Sequence, residues 1–371
     1  MKKKILYVTV LALASSAIGA APMMMQAQAA APGTITIKDP AEFNAYNSAI
    51  SQVTPQGKES AIEGFLQQYP DSVVKQQVLE ILMDAYMQTG NTNKALDTAR
   101  KVLQNDPTDL RALVTSAYVL RAEAGQKTNP ADALPLLDEA AKDAQAGLTA
   151  PPPSGADAAN FDKMRDQVTY IFDGAIASDD LEKKNYADAI KNFQAELKAM
   201  PEAQTTAGPG IEDTYQLGTA YAQEQPQDLI NAVWYLSRAA AYAPQPFKDE
   251  IQKAAQYWYK KYHGGTDGFD QVQAQAKASL NPPAGFTITP APPPPSPQDL
   301  AHTAVTSTPD LKTMPLTDKE FVLANGTTDD ASKVWDTMKG LTTKVPGKVI
   351  AATPDSVQLA VSDDAQQSNK A

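Results

Sequence analysis

The stretch that decides the fold runs from 211 to 244 and reads IEDTYQLGTAYAQEQPQDLINAVWYLSRAAAYAP. Leu217 and Tyr221 lie four residues apart in its first half, and a second apolar series begins at Ala232 and stops at Pro244. Apolar residues at intervals of three and four predict amphipathic helices, and proline ends a helix. The stretch therefore predicts two helices joined by a polar turn, with a proline closing the pair.

The same ending occurs three times with the same spacing. Ala95 to Pro107, Ala189 to Pro201 and Ala232 to Pro244 each span twelve residues. One helix pair of this kind cannot bury its own apolar face, so several must stack side by side into a solenoid. The spacing predicts a repeat protein whose small residues hold neighbouring helices close together.

This pattern resembles the tetratricopeptide-repeat (TPR) family, whose unit is a helix hairpin of about 34 residues. The resemblance covers 39–281, and 65–72 (FLQQYPDS) is similar to a phrase of exported bacterial envelope repeat proteins. It implies binding of a protein or peptide partner, without catalysis or a cofactor. Leu79 and Leu113 stand where the family often has tryptophan, and the lysines and asparagines of its carboxylate clamp are missing.

We accordingly predict an all-α fold for 39–281, a TPR-like α-solenoid of about five to six helix hairpins. A Pro-rich linker follows at 282–298, because its run of prolines favours extended polyproline II. The C-terminal region, 299–371, is predicted as a small α+β tail with a β-hairpin near 347–361. A lone hairpin is marginally stable in water, so the tail is either incomplete at Ala371 or paired with another segment.

The first residues have the features of an export signal. Three lysines precede an apolar run and small residues, which predicts a signal peptide at 1–29 and a flexible leader at 30–38. A membrane anchor is the alternative, but the apolar run is short for a span. We expect an exported bacterial protein of the periplasm or cell envelope, with no stable membrane span after cleavage.

Composition narrows the function further. The chain has no cysteine and two histidines, which removes thiol nucleophiles and leaves little for a metal site or a catalytic triad. Without residues 1–29 it carries 29 basic against 43 acidic residues, a net charge of −14. An acidic protein is poorly suited to bind nucleic acid. We predict no catalytic, cofactor-binding or metal-binding residues.

Two sets of residues are candidates for binding. The first occupies the helix faces that line the groove in the family: Gln77, Glu80, Asp84, Met87, Tyr215 and Thr219. Such positions would contact a polar or basic peptide, although a solvated helix face explains them as well. Glu80 and Asp84 also have the form of a glycosidase carboxylate pair, but no other feature of the sequence supports an enzyme.

The second set is aromatic: Tyr257, Trp258 and Tyr262. Aromatic side chains bury a large area at little entropic cost, so they bind sugars or anchor protein partners, and they also seal the end of a solenoid. The predicted function is a non-enzymatic protein–protein interaction scaffold. The alternative is a carbohydrate- or peptidoglycan-binding envelope module that uses this aromatic set or the C-terminal region. The oligomeric state and the identity of the partner stay open.

Overall fold

A computed structural model of the chain describes residues 36–340, 347–360 and 363–368. The predicted signal peptide at 1–29 and most of the leader at 30–38 lie outside these residues. The chain divides into two units at 291/292. We call residues 36–291 the helical unit and the described residues from 292 onward the C-terminal unit.

The helical unit is built from helices that follow one another with short connections. They are α1 (Pro40–Ile50), α2 (Pro55–Gln68), α3 (Lys75–Thr89), α4 (Thr92–Asn105), α5 (Leu110–Ala124), α6 (Pro130–Leu148), α7 (Ala158–Glu182), α8 (Tyr186–Ala199), α9 (Pro209–Gln223), α10 (Leu229–Tyr242), α11 (Phe247–His263) and α12 (Phe269–Ala278). A 3-10 turn, Glu202–Thr206, precedes α9. This arrangement confirms the predicted all-α fold.

The first ten helices form five consecutive hairpins, from α1–α2 to α9–α10. In the sixth pair, α11 and α12 both pack on α10, and they meet each other through the rings of Tyr259 and Phe269, whose centres lie 5.2 Å apart. Helices α3, α5, α7 and α9 also contact one another in order, whereas α4, α6, α8 and α10 make at most marginal contacts with each other within the described residues. We call the side of the stack on which α3, α5, α7 and α9 contact one another the inner face.

The repeated alanines explain the regular spacing. Ala95, Ala189 and Ala232 are each fully buried where one helix crosses its neighbours. Gly218 has the same role on α9, because a Cβ at this position would lie 2.8 Å from Leu236 Cγ. Small side chains at these points let the helix backbones approach closely, and a larger residue there would push the pair apart.

Helix starts follow from the local sequence. Asp39 accepts a hydrogen bond from the Ala41 amide at the start of α1, and Thr54 accepts one from the Gly57 amide at the start of α2. A proline occupies the first turn of both helices, where its missing N–H leaves no intrahelical bond unmade. Helix α3 ends at Thr89 and is capped by Gly90, whose φ of 77° is in the left-handed region that glycine favours.

The start of the predicted linker packs on the helical unit instead of leaving it. Phe286 lies edge-on to Trp234 at 4.7 Å, and Ile288 is buried among residues of α10, α11 and α12. The Ala291 amide donates to the Tyr262 carbonyl at 2.7 Å. Two apolar side chains among the prolines thus give residues 283–291 a hydrophobic attachment that proline composition does not indicate.

The C-terminal unit contains short helices and one hairpin: α13 (Pro297–Ser307), α14 (Leu316–Asn325), α15 (Thr328–Asp336), β1 (Lys348–Thr353), β2 (Ser356–Ala360) and α16 (Asp363–Ser368). Strands β1 and β2 pair antiparallel, with Val349 opposite Leu359 and Thr353 opposite Ser356. The predicted β-hairpin is confirmed. Helix α13, which the sequence analysis did not predict, starts at Pro297 with Ser296 as its cap.

Among the described residues, no helix combines the length and the apolar character that crossing a bilayer requires.

Candidate binding face

The inner face carries the predicted groove residues of α3 and a matching row on α5. A shift of 34 residues, one repeat, takes Gln77, Glu80, Asp84 and Met87 to Arg111, Val114, Tyr118 and Arg121. Because α3 and α5 are in contact on this side, the two rows are neighbours. The structure thus places acidic, basic and aromatic side chains side by side on the inner face.

Glu80 and Asp84 are joined to one cation of the next repeat. The Arg111 guanidinium pairs with Asp84 and lies 3.7 Å from Glu80 Oε2. Burial, helped by the negative charges of Asp109 and Asp106, raises the pKa of Glu80 to about 7, although Arg111 opposes this shift. These two carboxylates therefore hold consecutive repeats together, and their capacity to bind a basic partner is reduced by the arginine already present.

The other predicted groove residues are half-buried. Met87 packs against the cores on both sides of α3, and Gln77 lies at the opposite end of the same helix face. On α9 the Tyr215 ring packs into the core shared with α10 and α11, and burial raises the pKa of its hydroxyl. The Thr219 hydroxyl donates to the Tyr215 carbonyl at 3.0 Å. The side chains of Tyr215 and Thr219 thus serve the helical unit itself.

A buried cluster of charged and polar residues lies at the centre of the inner face, and sequence reasoning missed it. Arg121 of α5 donates from Nε to Ser178 Oγ at 2.8 Å and from Nη1 to Glu196 Oε1 at 2.7 Å. Its Nη2 donates to Asp213 Oδ1. We call Arg121, Ser178, Glu196 and Asp213 the Arg121 cluster. It links α5, α7, α8 and α9, elements from three consecutive hairpins.

The Arg121 cluster contains more acid than base. Glu196 and Asp213 are each 1% exposed, and their carboxyl groups also share a side-chain hydrogen bond, with Glu196 as the protonated partner. Burial raises the pKa of both carboxyls, and it raises the pKa of neighbouring Glu212 to about 7. One guanidinium thus faces three carboxyl groups, and the raised pKa values mean that protons neutralise part of their negative charge.

Gly174 of α7 makes the cluster possible. A Cβ at this position would lie 2.5 Å from Glu196 Cδ, and it would also clash with Nη1 of Arg121. Only a residue without a side chain leaves room for the Arg121–Glu196 ion pair against the backbone of α7. This explains a glycine in the middle of a 25-residue helix.

A cavity of about 70 Å³ opens beside the cluster. Its walls are mainly apolar and aromatic, and include Tyr118, Tyr170 and Met200, while the paired Glu196 and Arg121 also line it. Residues of its rim, such as Ala207, are exposed. The cavity therefore leads from the surface to a buried carboxylate.

The aromatic set divides between surface and core. Tyr257 is 60% exposed and meets Trp258 edge-on at 4.9 Å. Trp258 itself packs against two core clusters, and Lys261 Nζ lies 4.8 Å from the centre of its ring. Tyr262 packs against the core of the last helices. Most of this aromatic area is used inside the molecule, and Tyr257 is the part that solvent reaches.

The sequence contained a signal for one member of the Arg121 cluster, Arg121 itself. A shift of Asp84 and Met87 by one repeat identifies Tyr118 and Arg121 as inner-face residues. Glu196, by contrast, stands among Phe193 and Leu197 on an apolar helix face, and nothing in the local pattern says whether such a glutamate is buried. Within the described residues, no group of three histidine, cysteine, aspartate or glutamate side chains is placed to hold a metal ion.

These features define an all-α helical-repeat protein with a polar inner face. No family model matches the chain, and a search of curated proteins finds no match. Among solved structures, the chain is similar to the crystal structure of a thermophilic TPR protein from Thermus thermophilus. The two are 13% identical, the match covers 58% of this chain and 98% of the other, and the TM-score is 0.29.

Proposed function

We propose that the helical unit is a non-enzymatic scaffold that binds a segment of a partner protein along its inner face, and that the protein acts after export, in the periplasm or cell envelope. The observation that carries the proposal is the inner face itself. Four consecutive first helices contact one another there, and their side chains form a continuous surface across the hairpins. Stacked repeats use such extended surfaces to bind other chains.

The composition of this surface supports a protein partner. It offers the half-buried Gln77 and Met87, the rings of Tyr118 and Tyr170, and a cavity at its centre. Rigid aromatic side chains beside adaptable polar ones are typical of surfaces that bind protein segments. The export proposal rests on the basic, apolar and small-residue regions of 1–29.

Site-specific photo-crosslinking in a Gram-negative bacterium tests the binding proposal. A photoreactive amino acid replaces Gln77 on the inner face or, as the matched control, Lys101 on the exposed face of α4. We expect one discrete crosslinked protein from position 77 and none from position 101. Equal crosslinking from both positions, or none from any inner-face position, would contradict the proposal.

Export is tested separately. A fusion of the whole chain to a phosphatase that is active only outside the cytoplasm should be active, and deletion of 1–29 should abolish this activity. Activity that persists without 1–29, or is absent from the full-length fusion, would refute the proposed location.

A further inference from the structure

We infer that the cavity beside the Arg121 cluster receives an aliphatic side chain of leucine size from the partner protein. This inference rests on the proposed function and names the group that the inner face recognises. The cavity is bounded by α5, α7, the end of α8, the connection from α8 to α9 and the first turn of α9. We call it the inner-face cavity.

The first argument is the charge balance at the cavity. Arg121 and Glu196 both line it, and Arg121 Nη1 donates to Glu196 Oε1 at 2.7 Å. Arg121 also pairs with Asp213, and Glu196, as the protonated partner, shares a hydrogen bond with the same aspartate. The guanidinium and the Asp213 carboxylate therefore compensate each other, and Glu212 is not part of the lining. A charged occupant would lose its hydration without meeting an unpaired opposite charge, so the cavity suits an uncharged group.

The second argument is the chemistry of the walls. Gln204, a polar residue of the lining, is already hydrogen-bonded to the Tyr170 hydroxyl, so it requires no polar ligand. An aliphatic group that enters the cavity leaves water and gains dispersion contacts on several sides at once. Most of the surface that it would contact is apolar or aromatic, formed by Tyr118, Tyr170, Ile171, Met200, Ala207 and Pro209.

The third argument is the size of the cavity. Its volume is about 70 Å³, whereas an apolar cavity of about 150 Å³ binds benzene. The ring of a phenylalanine or tryptophan is therefore too large to enter fully. The methyl group of an alanine would leave much of the wall without contacts. The branched end of a leucine side chain lies between these limits and fits the space.

The depth of the cavity favours a side chain that is branched at its end. The cavity extends from the exposed rim at Ala207 to the buried Glu196. Valine and isoleucine branch at Cβ, next to their own backbone, so their bulk would stay near the rim. Leucine branches one carbon further out and carries both methyl groups inward, and it is therefore the occupant that the test uses.

The test uses the full-length protein with its methionine methyl groups labelled for NMR, because Met200 lines the cavity. Its signal is assigned through a Met200→Leu variant. The probe is Nα-acetyl-leucine methylamide, and its controls are the alanine, phenylalanine and lysine compounds of the same form. We expect a saturable shift of the Met200 signal with the leucine probe and affinity at least about tenfold weaker for the alanine compound. No saturable shift with leucine, or equal or tighter binding of any of the three controls, would overturn the inference.

Two variants make the test specific to the cavity. Ala207→Trp places a large side chain at the rim and should weaken binding of the leucine probe at least about tenfold. Ala203→Trp, also exposed but outside the lining, is the matched control and should leave this binding unchanged. Leucine binding that survives Ala207→Trp, or that both variants weaken equally, would contradict the assignment.

A fatty acyl chain is the competing source of an aliphatic group. Tighter binding of octanoate than of the leucine probe would overturn the assignment to a side chain of a protein.

The same rim variants separate this inference from the proposed function. In the chain that carries the photoreactive amino acid at position 77, Ala207→Trp should lower the yield of the crosslinked partner at least about fivefold, whereas Ala203→Trp should not. Crosslinking that Ala207→Trp leaves unchanged would refute the role of the cavity and leave the scaffold standing. Leucine binding without crosslinking from any inner-face position would refute the scaffold, and with it the partner as the source of the side chain.

Discussion

Gly147 of α6 and Phe172 of α7 approach so closely that a Cβ on Gly147 would lie 2.6 Å from Phe172 Cε1. Phe172 is fully buried, at the centre of the core that α5, α6 and α7 share. The contact fixes how near α6 and α7 can come, and these two helices join the third hairpin to the fourth. The absence of a side chain on Gly147 thus permits the close spacing of these two repeats.

Gly147→Ala should therefore lower the free energy of unfolding. The added methyl group must displace the Phe172 ring or the helix backbone, and overpacking of this kind costs about 1–3 kcal/mol. For a unit of this size the melting temperature should fall by about 2–4 °C per kcal/mol, measured by circular dichroism. Gly64→Ala is the matched control, since no atom lies within 4 Å of a Cβ at that exposed helical position. It should be neutral or slightly stabilising, and a Gly147→Ala protein as stable as this control would contradict the packing argument.

Phe286→Ala should loosen residues 283–291 from the helical unit. The ring contacts Trp234, whose Nε1 also donates to the Leu280 carbonyl at 3.1 Å. Loss of a half-buried phenylalanine should cost about 1–3 kcal/mol, less than for a fully buried one. It should also shift the tryptophan fluorescence to longer wavelength as water reaches Trp234. Thr287→Ala, an exposed neighbour, is the control and should change neither quantity. An unchanged spectrum for Phe286→Ala would mean that this segment is a free linker.

Asp173 should make the helical unit less stable as the pH rises. Burial alone raises the pKa of this carboxyl from its ordinary value of 3.8 to about 6. The folded state therefore holds the proton more firmly than the unfolded state. The stabilising effect is fully present below pH 3.8 and is lost as the pH rises through about 6.

Asp173→Asn should consequently stabilise the protein at pH 8, on the order of 1 kcal/mol once screening by solvent is allowed for, and should have little effect near pH 3.8. Denaturant unfolding at both pH values measures the difference. Asp166→Asn on the exposed side of the same helix is the control. A stabilisation that is the same at both pH values would show that the charge of Asp173 is not its cause.

Arg111→Met should destabilise the unit more at pH 8 than at pH 5. Without this cation, Glu80 and Asp84 face each other with no positive charge between the repeats, and the pKa of Glu80, already about 7, should rise further. The loss at pH 8 should be about 1–3 kcal/mol, because the groups are partly rather than wholly buried. The double variant Arg111→Met with Glu80→Gln should recover part of this loss. No recovery would mean that Arg111 acts through packing of its stem instead of its charge.

Local sequence patterns predicted the helices well because each hairpin is specified by neighbouring residues. The apolar spacing, the alanines before each closing proline and the caps such as Asp39 act within one repeat. The local pattern did not indicate that α11 and α12 of the sixth pair would both pack on α10. The attachment of Phe286 was not predicted, since its partner, Trp234, lies some fifty residues away in the sequence.

Local sequence patterns predicted even less of the candidate site. The predicted residues of α3 lie on the inner face, but their pairing with Arg111 depends on how two repeats stack. Arg121 meets Glu196 from 75 residues away and Asp213 from 92. No local pattern encodes such distances.

The sequence by itself determined the helices, their order and the small residues at their crossings, because helix formation and capping depend on residues a few positions apart. The tertiary structure decided which side chains meet on the inner face. Burial of Glu196 and Asp213 arises only when α5, α7, α8 and α9 come together, since desolvation and ion pairing depend on surroundings that distant segments provide. Gly174 illustrates both contributions. The sequence shows a glycine inside a long helix, and the structure shows the Arg121–Glu196 ion pair that packs against it.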